Sequence, residues 1–175
     1  DFNEIDRYLI DTTQLFNNLS AVQEIGVWSP GFERTQMMDD YLSFWKNINT
    51  LYENFNAALL KKGLGHQGLV YRNAHNNLEA YLDVASAQAH IFIGFNALNT
   101  AEEQIIQRIL QQSNTEIYWD IDEYFLNDPV HDAGYFMRSH LKKWPYFQNH
   151  TLNGLSHRFT SSKKIEIIGV PKNIS

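Results

Sequence analysis

The residues best suited to chemistry gather around position 120. Asp120, Asp122 and Glu123 follow the apolar run Ile117-Tyr118-Trp119, and Asp128, His131 and Asp132 come shortly after. An apolar strand ending in Asp-x-Asp can supply a nucleophilic carboxylate, a general acid and oxygen ligands for Mg²⁺. The competing reading is helix capping, in which Asp120 or Asp122 accepts N–H bonds at the positive end of a short helix. Capping is the heavier of the two. The spacing does not make a calcium loop, because the required glycine and terminal glutamate are missing. Histidines stand at 66, 75, 90, 131, 140, 150 and 157, with no i, i+4 pair beside a glutamate of the zinc-protease kind. His131 and His140 read as solvated or locally bonded rather than as ligands. Gly154-Leu155-Ser156-His157 is no nucleophile elbow, and no G-x-x-x-x-G-K-[ST] phosphate loop occurs. With no cysteine, thiolate chemistry and disulfides are excluded.

A second constellation is cationic. Arg138, Lys142, Lys143, Arg158, Lys163 and Lys164 concentrate in the last third, with Trp144, Tyr146 and Phe147 among them. Cations interleaved with aromatics can follow a phosphate backbone and stack bases. Lysines at a helix end also complement the macrodipole, and the aromatics can equally be core. The two readings balance. The net charge of −6 argues against a nucleic-acid binder driven by bulk charge.

These residues need elements to position them. Over residues 2–19, Ile5, Leu9, Phe16 and Leu19 share one helical stripe. Gly26 and Ser29-Pro30-Gly31 predict a break. A long helix is expected from Arg34 to Lys62, its face built from Met38, Tyr41, Leu42, Trp45, Ile48, Leu51, Tyr52, Phe55 and Leu59, with Gly63 as its stop. Its aromatic stripe, which includes Phe44, reads as core. A third helix is expected over Leu69–Ala85. Residues 89–94 then predict a strand, Asn99-Thr100 a helix cap, Thr100–Gln112 an amphipathic crossover, and 116–120 a second, parallel strand. Pro129 and Pro145 punctuate a broken helical hairpin over Phe125–Phe147, His150–Ser162 reads as loop, and 165–169 predicts a third strand. With 175 residues, 43% of them hydrophobic, there is ample material for a core. No apolar run reaches the ~18 residues of a membrane span. No signal peptide is visible, and with the lack of cysteine this fits a cytoplasmic protein.

The segment from Ile91 to Phe125 resembles superfamily 1 helicases of the UvrD/Rep/RecB group, from the Walker B strand through the following motif. The wording GFNALNTAEEQ is similar to the helicase-like half of AddB-type and related RecB-family helicase–nucleases, whose motor site is decayed. In that comparison Gly94 and Phe95 stand where the Mg²⁺-binding aspartate and catalytic glutamate would be. Asn99 and Thr100 fall near the helix start, Asp120 matches the later aspartate, and Glu123 replaces a glutamine. The resemblance covers residues 87–175. It implies a helical subdomain over 1–86 and a partial P-loop-like α/β unit over 87–175, a small parallel sheet with flanking helices. It also implies a chain that is itself no enzyme, with no cofactor and no metal. Its partners would be the remainder of the parent protein and, weakly, DNA, with no membrane involved. The start at Asp1 and the finish just after an apolar run predict a piece of such a longer protein. The alternative is a Mg²⁺-dependent, haloacid-dehalogenase-like phosphohydrolase using Asp120 and Asp122. Tyr124 stands where that family carries Thr or Val, and the motif comes late in the chain.

Overall fold

The computed structural model describes residues 1–27, 35–112 and 114–169, with side chains omitted for 25–27. The chain is a mixed α/β protein: a helical N-terminal part, then a three-stranded parallel sheet with flanking helices. It divides into two compact units, residues 1–89 with 98–114, and residues 90–97 with 115–175.

The first unit is helical. α1 (Phe2–Arg7) and α2 (Thr12–Val27) replace the continuous stripe expected over 2–19. Leu9, with φ 51°, turns the chain between them, and Asp11 Oδ1 accepts from Gln14 N at 2.9 Å to start α2. A distant residue holds this corner. The Arg72 guanidinium donates to the carbonyls of Ile5 and Ile10, each at 2.9 Å, a tie that no local pattern reveals. Gly26 does not break α2, which runs to Val27. Ser29-Pro30-Gly31 lie outside the described residues.

α3 spans Gln36–Lys61, capped by Thr35. Gly63 closes it as expected, with Gly63 N bonded to Leu60 O and Leu64 N to Leu59 O, both at 3.0 Å. Its 26 residues make a rod of about 39 Å. Only one narrow stripe is covered: Leu42, Tyr52 and Asn56 are buried, while Tyr41, Phe44, Leu51 and Phe55 are 43–51% exposed. The aromatic face expected to be core is therefore half surface, because packing reaches one side of a long helix. The core there joins Ile5, Phe16 and Tyr52, with Phe2, Leu15, Leu19 and Ile48 against them.

The helix expected over 69–85 is two helices, α4 (Gln67–Asn76) and α5 (Leu78–Ala85). Asn77 separates them, its Nδ2 donating to Asn73 O at 2.8 Å. A side chain that bonds backbone locally offers the chain an alternative to helix. α6 (Thr100–Ile109) belongs to this unit, and Arg108 grips Glu79 of α5 through two 2.7 Å hydrogen bonds.

In the second unit β1 (His90–Ile93), β2 (Thr115–Asp122) and β3 (Asn153–Ser156) lie in the order β1-β2-β3, all parallel. The first two strands are those expected, in register His90 to Thr115. The third is not. β3 stands within the stretch read as loop, and residues 162–169 form no strand, with Ile165, Ile167 and Ile168 77–93% exposed. Asn153-Gly154-Leu155-Ser156 carries little strand propensity, but Gly154 is the residue that fits. At φ 87° a Cβ there would lie 2.3 Å from Trp119 O, so only glycine allows the close approach to β2. The ladder shifts register at that point, between Tyr118 and Ile121.

β2 alternates strictly. Thr115, Ile117, Trp119 and Ile121 are buried, while Glu116, Tyr118 and Asp120 face out. α7 (Glu123–Asn127) and a 3₁₀ turn (Asp132–Gly134) follow, then α8 (Tyr135–Lys143) and a second 3₁₀ turn (Pro145–Gln148). These are the broken hairpin that the prolines announced. Met137, His140 and Trp144 are buried, with Trp144 5.9 Å and His140 5.4 Å from the Trp119 ring. No helix among the described residues is long and apolar enough to cross a membrane.

Candidate functional site

Ligands in parallel α/β sheets collect at the carboxyl ends of the strands. Here that edge holds a cleft of about 270 Å³, lined by Gly94, Phe95, Asn96, Trp119, Asp120, Ile121, Ala133 and Met137. Gly94, Phe95 and Asp120 are therefore brought together in one cleft. Gly94 leaves β1 at φ 74° while its N–H still bonds Tyr118 O at 3.0 Å. An aspartate at that position would carry backbone strain. Among the described residues Asp120 is the one carboxylate lining the cleft.

The other residues of the comparison do different work. Asn99 and Thr100 belong to the helical unit. Asn99 forms a capping box with Glu102, Oδ1 accepting from Glu102 N and Asn99 N donating to Glu102 Oε2, both at 3.0 Å. Glu123 pairs with His157 Nδ1 at 2.8 Å.

Asp122 is a structural hub. Its Oδ1 accepts from Tyr124 N at 3.1 Å, which caps α7. Its Oδ2 accepts from Arg158 N at 2.8 Å and Phe159 N at 3.0 Å, which ties down the chain after β3. Desolvation pushes its carboxyl up, but hydrogen bonds from Tyr124, Phe159, Ser156 and Arg158 together outweigh it and hold the group below the ordinary carboxylate value. A depressed folded value means stability that is present above the unfolded value and lost as pH falls through the folded one. Asp122→Asn should therefore melt below wild type near about pH 7 and converge with it at strongly acid pH. Parallel melting curves at every pH would refute this. Among the described residues, no three His, Asp or Glu side chains converge to hold a metal ion.

The cations divide into two sets by what they touch. Arg138 donates to Phe125 O at 2.8 Å and His131 O at 2.7 Å, bracing the corner between α7 and α8. With Lys142, Lys143, Pro129, Tyr135 and Ser139 it lines a groove of about 330 Å³. After β3, Lys163 lies 3.9 Å over the Phe159 ring and Lys164 pairs with Glu166 at 2.5 Å. Trp144 is only 1% exposed, enclosed by Trp119, His140 and Phe147, so its ring offers no surface to a base. Tyr146 is stacked on His150 at 4.1 Å. His131 caps the first 3₁₀ turn through Ala133 N at 3.1 Å, locally bonded as expected. His140 is buried against two tryptophans, with Nε2 3.4 Å from Asn96 O. Its spacing to Trp144, i and i+4 on one helical face, was the available signal.

The fold and these placements define a mixed α/β protein with a small parallel sheet, Asp120 and Asp122 at the carboxyl end of β2, and a cationic groove along α8. Comparison with protein-family models, curated proteins and solved structures finds no match to this chain.

Proposed function

We propose that the chain is a non-catalytic part of a DNA repair and recombination helicase–nuclease of the AddB/RecB type, where it acts as a scaffold and lines a DNA channel. The observation that carries this reading is the cleft at the carboxyl ends of β1 and β2. Ligands of parallel α/β sheets collect at such an edge, and in the helicase resemblance Gly94 and Phe95, which line it, take the places of the two acids that hold Mg²⁺ and activate water. The sheet supports the scaffold role. Parallel sheets are normally covered on both faces, but Ile91 and Ile93 of β1 are 61% and 71% exposed and Tyr118 beside them 38%. The remainder of the parent protein is the cover proposed for that face. Such a protein works in the cytoplasm and needs no cofactor from this chain.

Titration calorimetry with Mg-ATP is expected to give no heat of binding, since a phosphate cradle needs a glycine-rich loop with lysine. A micromolar dissociation constant would overturn the assignment.

One observation favours the phosphohydrolase reading: Asp120 and Asp122 stand two apart on β2, on the same side of the strand. The three main-chain N–H groups held by Asp122 weigh against it as an acid or ligand. Mg²⁺-dependent phosphatase activity lost in Asp120→Asn would favour it over the scaffold.

A further inference from the structure

We propose that the exposed face of α8 is a binding groove for single-stranded nucleic acid, with Tyr135 as stacking platform and Lys142 and Lys143 as phosphate contacts. The proposal rests on the DNA-channel reading above and gives it a location. Two independent observations meet there. The first is charge. Lys142 and Lys143 line the groove with Arg138, and neither lysine is paired with a carboxylate among the described residues. The helix end contributes only about half a negative charge, so two ammonium groups leave a positive field. Asp128, held as a carboxylate by Val130 N at 2.9 Å and His131 N at 3.3 Å, offsets the charge of Arg138 and leaves the two lysines as the net positive groups of the groove.

The second observation is aromatic. Tyr135 is 62% exposed and Phe136, edge-on to it at 5.2 Å, is 38% exposed. Tyr135, Ser139 and Lys142 follow i, i+4, i+7 spacing and so lie in one row along the helix. A ring, a hydroxyl and an ammonium in sequence suit a base, its sugar and the next phosphate. Only unpaired bases expose their faces, which selects single strands. Arg138, committed to two carbonyls, is a positioning residue that shapes the corner under the groove.

Salt dependence separates this groove from a strip of all six cations. For single strands the slope of log affinity against log salt is about −0.7 per phosphate neutralised. Two contacts give about −1.4, a loss of about sevenfold between about 50 and 200 mM salt, whereas six give a loss of several hundredfold.

Fluorescence anisotropy with a labelled oligothymidylate and with a duplex of equal length tests the proposal. Expected are a preference for the single strand and the shallow slope. Tyr135→Ala should weaken binding by at least about fivefold, with recovery in Tyr135→Phe. Lys142→Ala with Lys143→Ala should remove most of the salt dependence, and Lys163→Ala with Lys164→Ala should change nothing. Circular dichroism confirms that each variant folds. Binding that persists unchanged in the Tyr135 and Lys142/Lys143 variants overturns the groove and leaves the DNA-channel reading standing. Preference for duplex overturns the stacking role, and no binding to either probe overturns both.

Discussion

Replacing Asp6 by alanine is expected to lower stability by about 3–5 kcal/mol, the largest single-site loss in the helical unit. Asp6 has no solvent exposure. It receives Tyr52 Oη in a short hydrogen bond and Asn56 Nδ2 at 3.3 Å. Arg72 Nε lies 2.6 Å away and His66 Nε2 3.4 Å. α1, α3 and α4 thus meet on one carboxylate. Removing it leaves the half-buried Arg72 without its counter-ion and frees the corner at Ile5 and Ile10 that the same guanidinium holds. Thermal denaturation should fall by about 10 °C. Arg72→Met should cost nearly as much, while Asp6→Leu combined with Arg72→Met should cost less than either alone, because no charge is then stranded. A drop below about 1 kcal/mol for Asp6→Ala would mean that water screens the pair as it screens a surface ion pair. The phenol reports on the same network. Burial, then the Asp6 hydrogen bond, push Tyr52 up to about 12. A raised folded value means that its contribution is complete below the ordinary tyrosine value and fades as pH climbs towards the folded one. Stability should therefore decline in strong alkali.

Trp144→Ala is expected to destabilise the sheet-bearing unit by about 3–5 kcal/mol, the usual cost of emptying a buried indole site. Trp144 seals the covered side of β2 against Trp119 and His140. Tyr135→Ala, nine residues earlier on the exposed face, should stay within about 0.5 kcal/mol of wild type. Chemical denaturation of the two variants side by side makes the contrast. A stable Trp144→Ala protein that has lost affinity for single-stranded DNA would make Trp144 a stacking surface instead of core.

Much of the fold was legible because its signals are local. The apolar run into Gly94, the Asn99-Thr100 cap and the apolar run Ile117-Tyr118-Trp119 are each set by neighbouring residues. They predict the parallel pair and the helix between its strands. Gly63 marked the end of α3 in the same way. β3 was not legible. Asn153–Ser156 has no strand pattern, and it pairs because Gly154 can approach the backbone of Trp119 where a side chain cannot. Lys164–Gly169 has the strand pattern and stays exposed.

The candidate site divides along the same line. The expected parallel pair put Gly94, Phe95 and Asp120 at the strand carboxyl ends and gave capping as the stronger role for Asp120 or Asp122, and it is Asp122 that caps α7. They could not sort six cations. Arg138 is spent on two carbonyls, Lys163 on a ring and Lys164 on Glu166, while Lys142 and Lys143 share a groove with Tyr135. Trp144, adjacent in sequence to the candidate cation Lys143, lies in the core because α8 turns that face to β2. The sequence by itself determined β1, β2 and the capped helix between them, the stop of α3 and the acidic strand end, since these depend on neighbours within a few positions. Which aromatics are buried, which cations remain unpaired and where Arg72 and Asp6 meet were decided only by packing between helices distant in the chain.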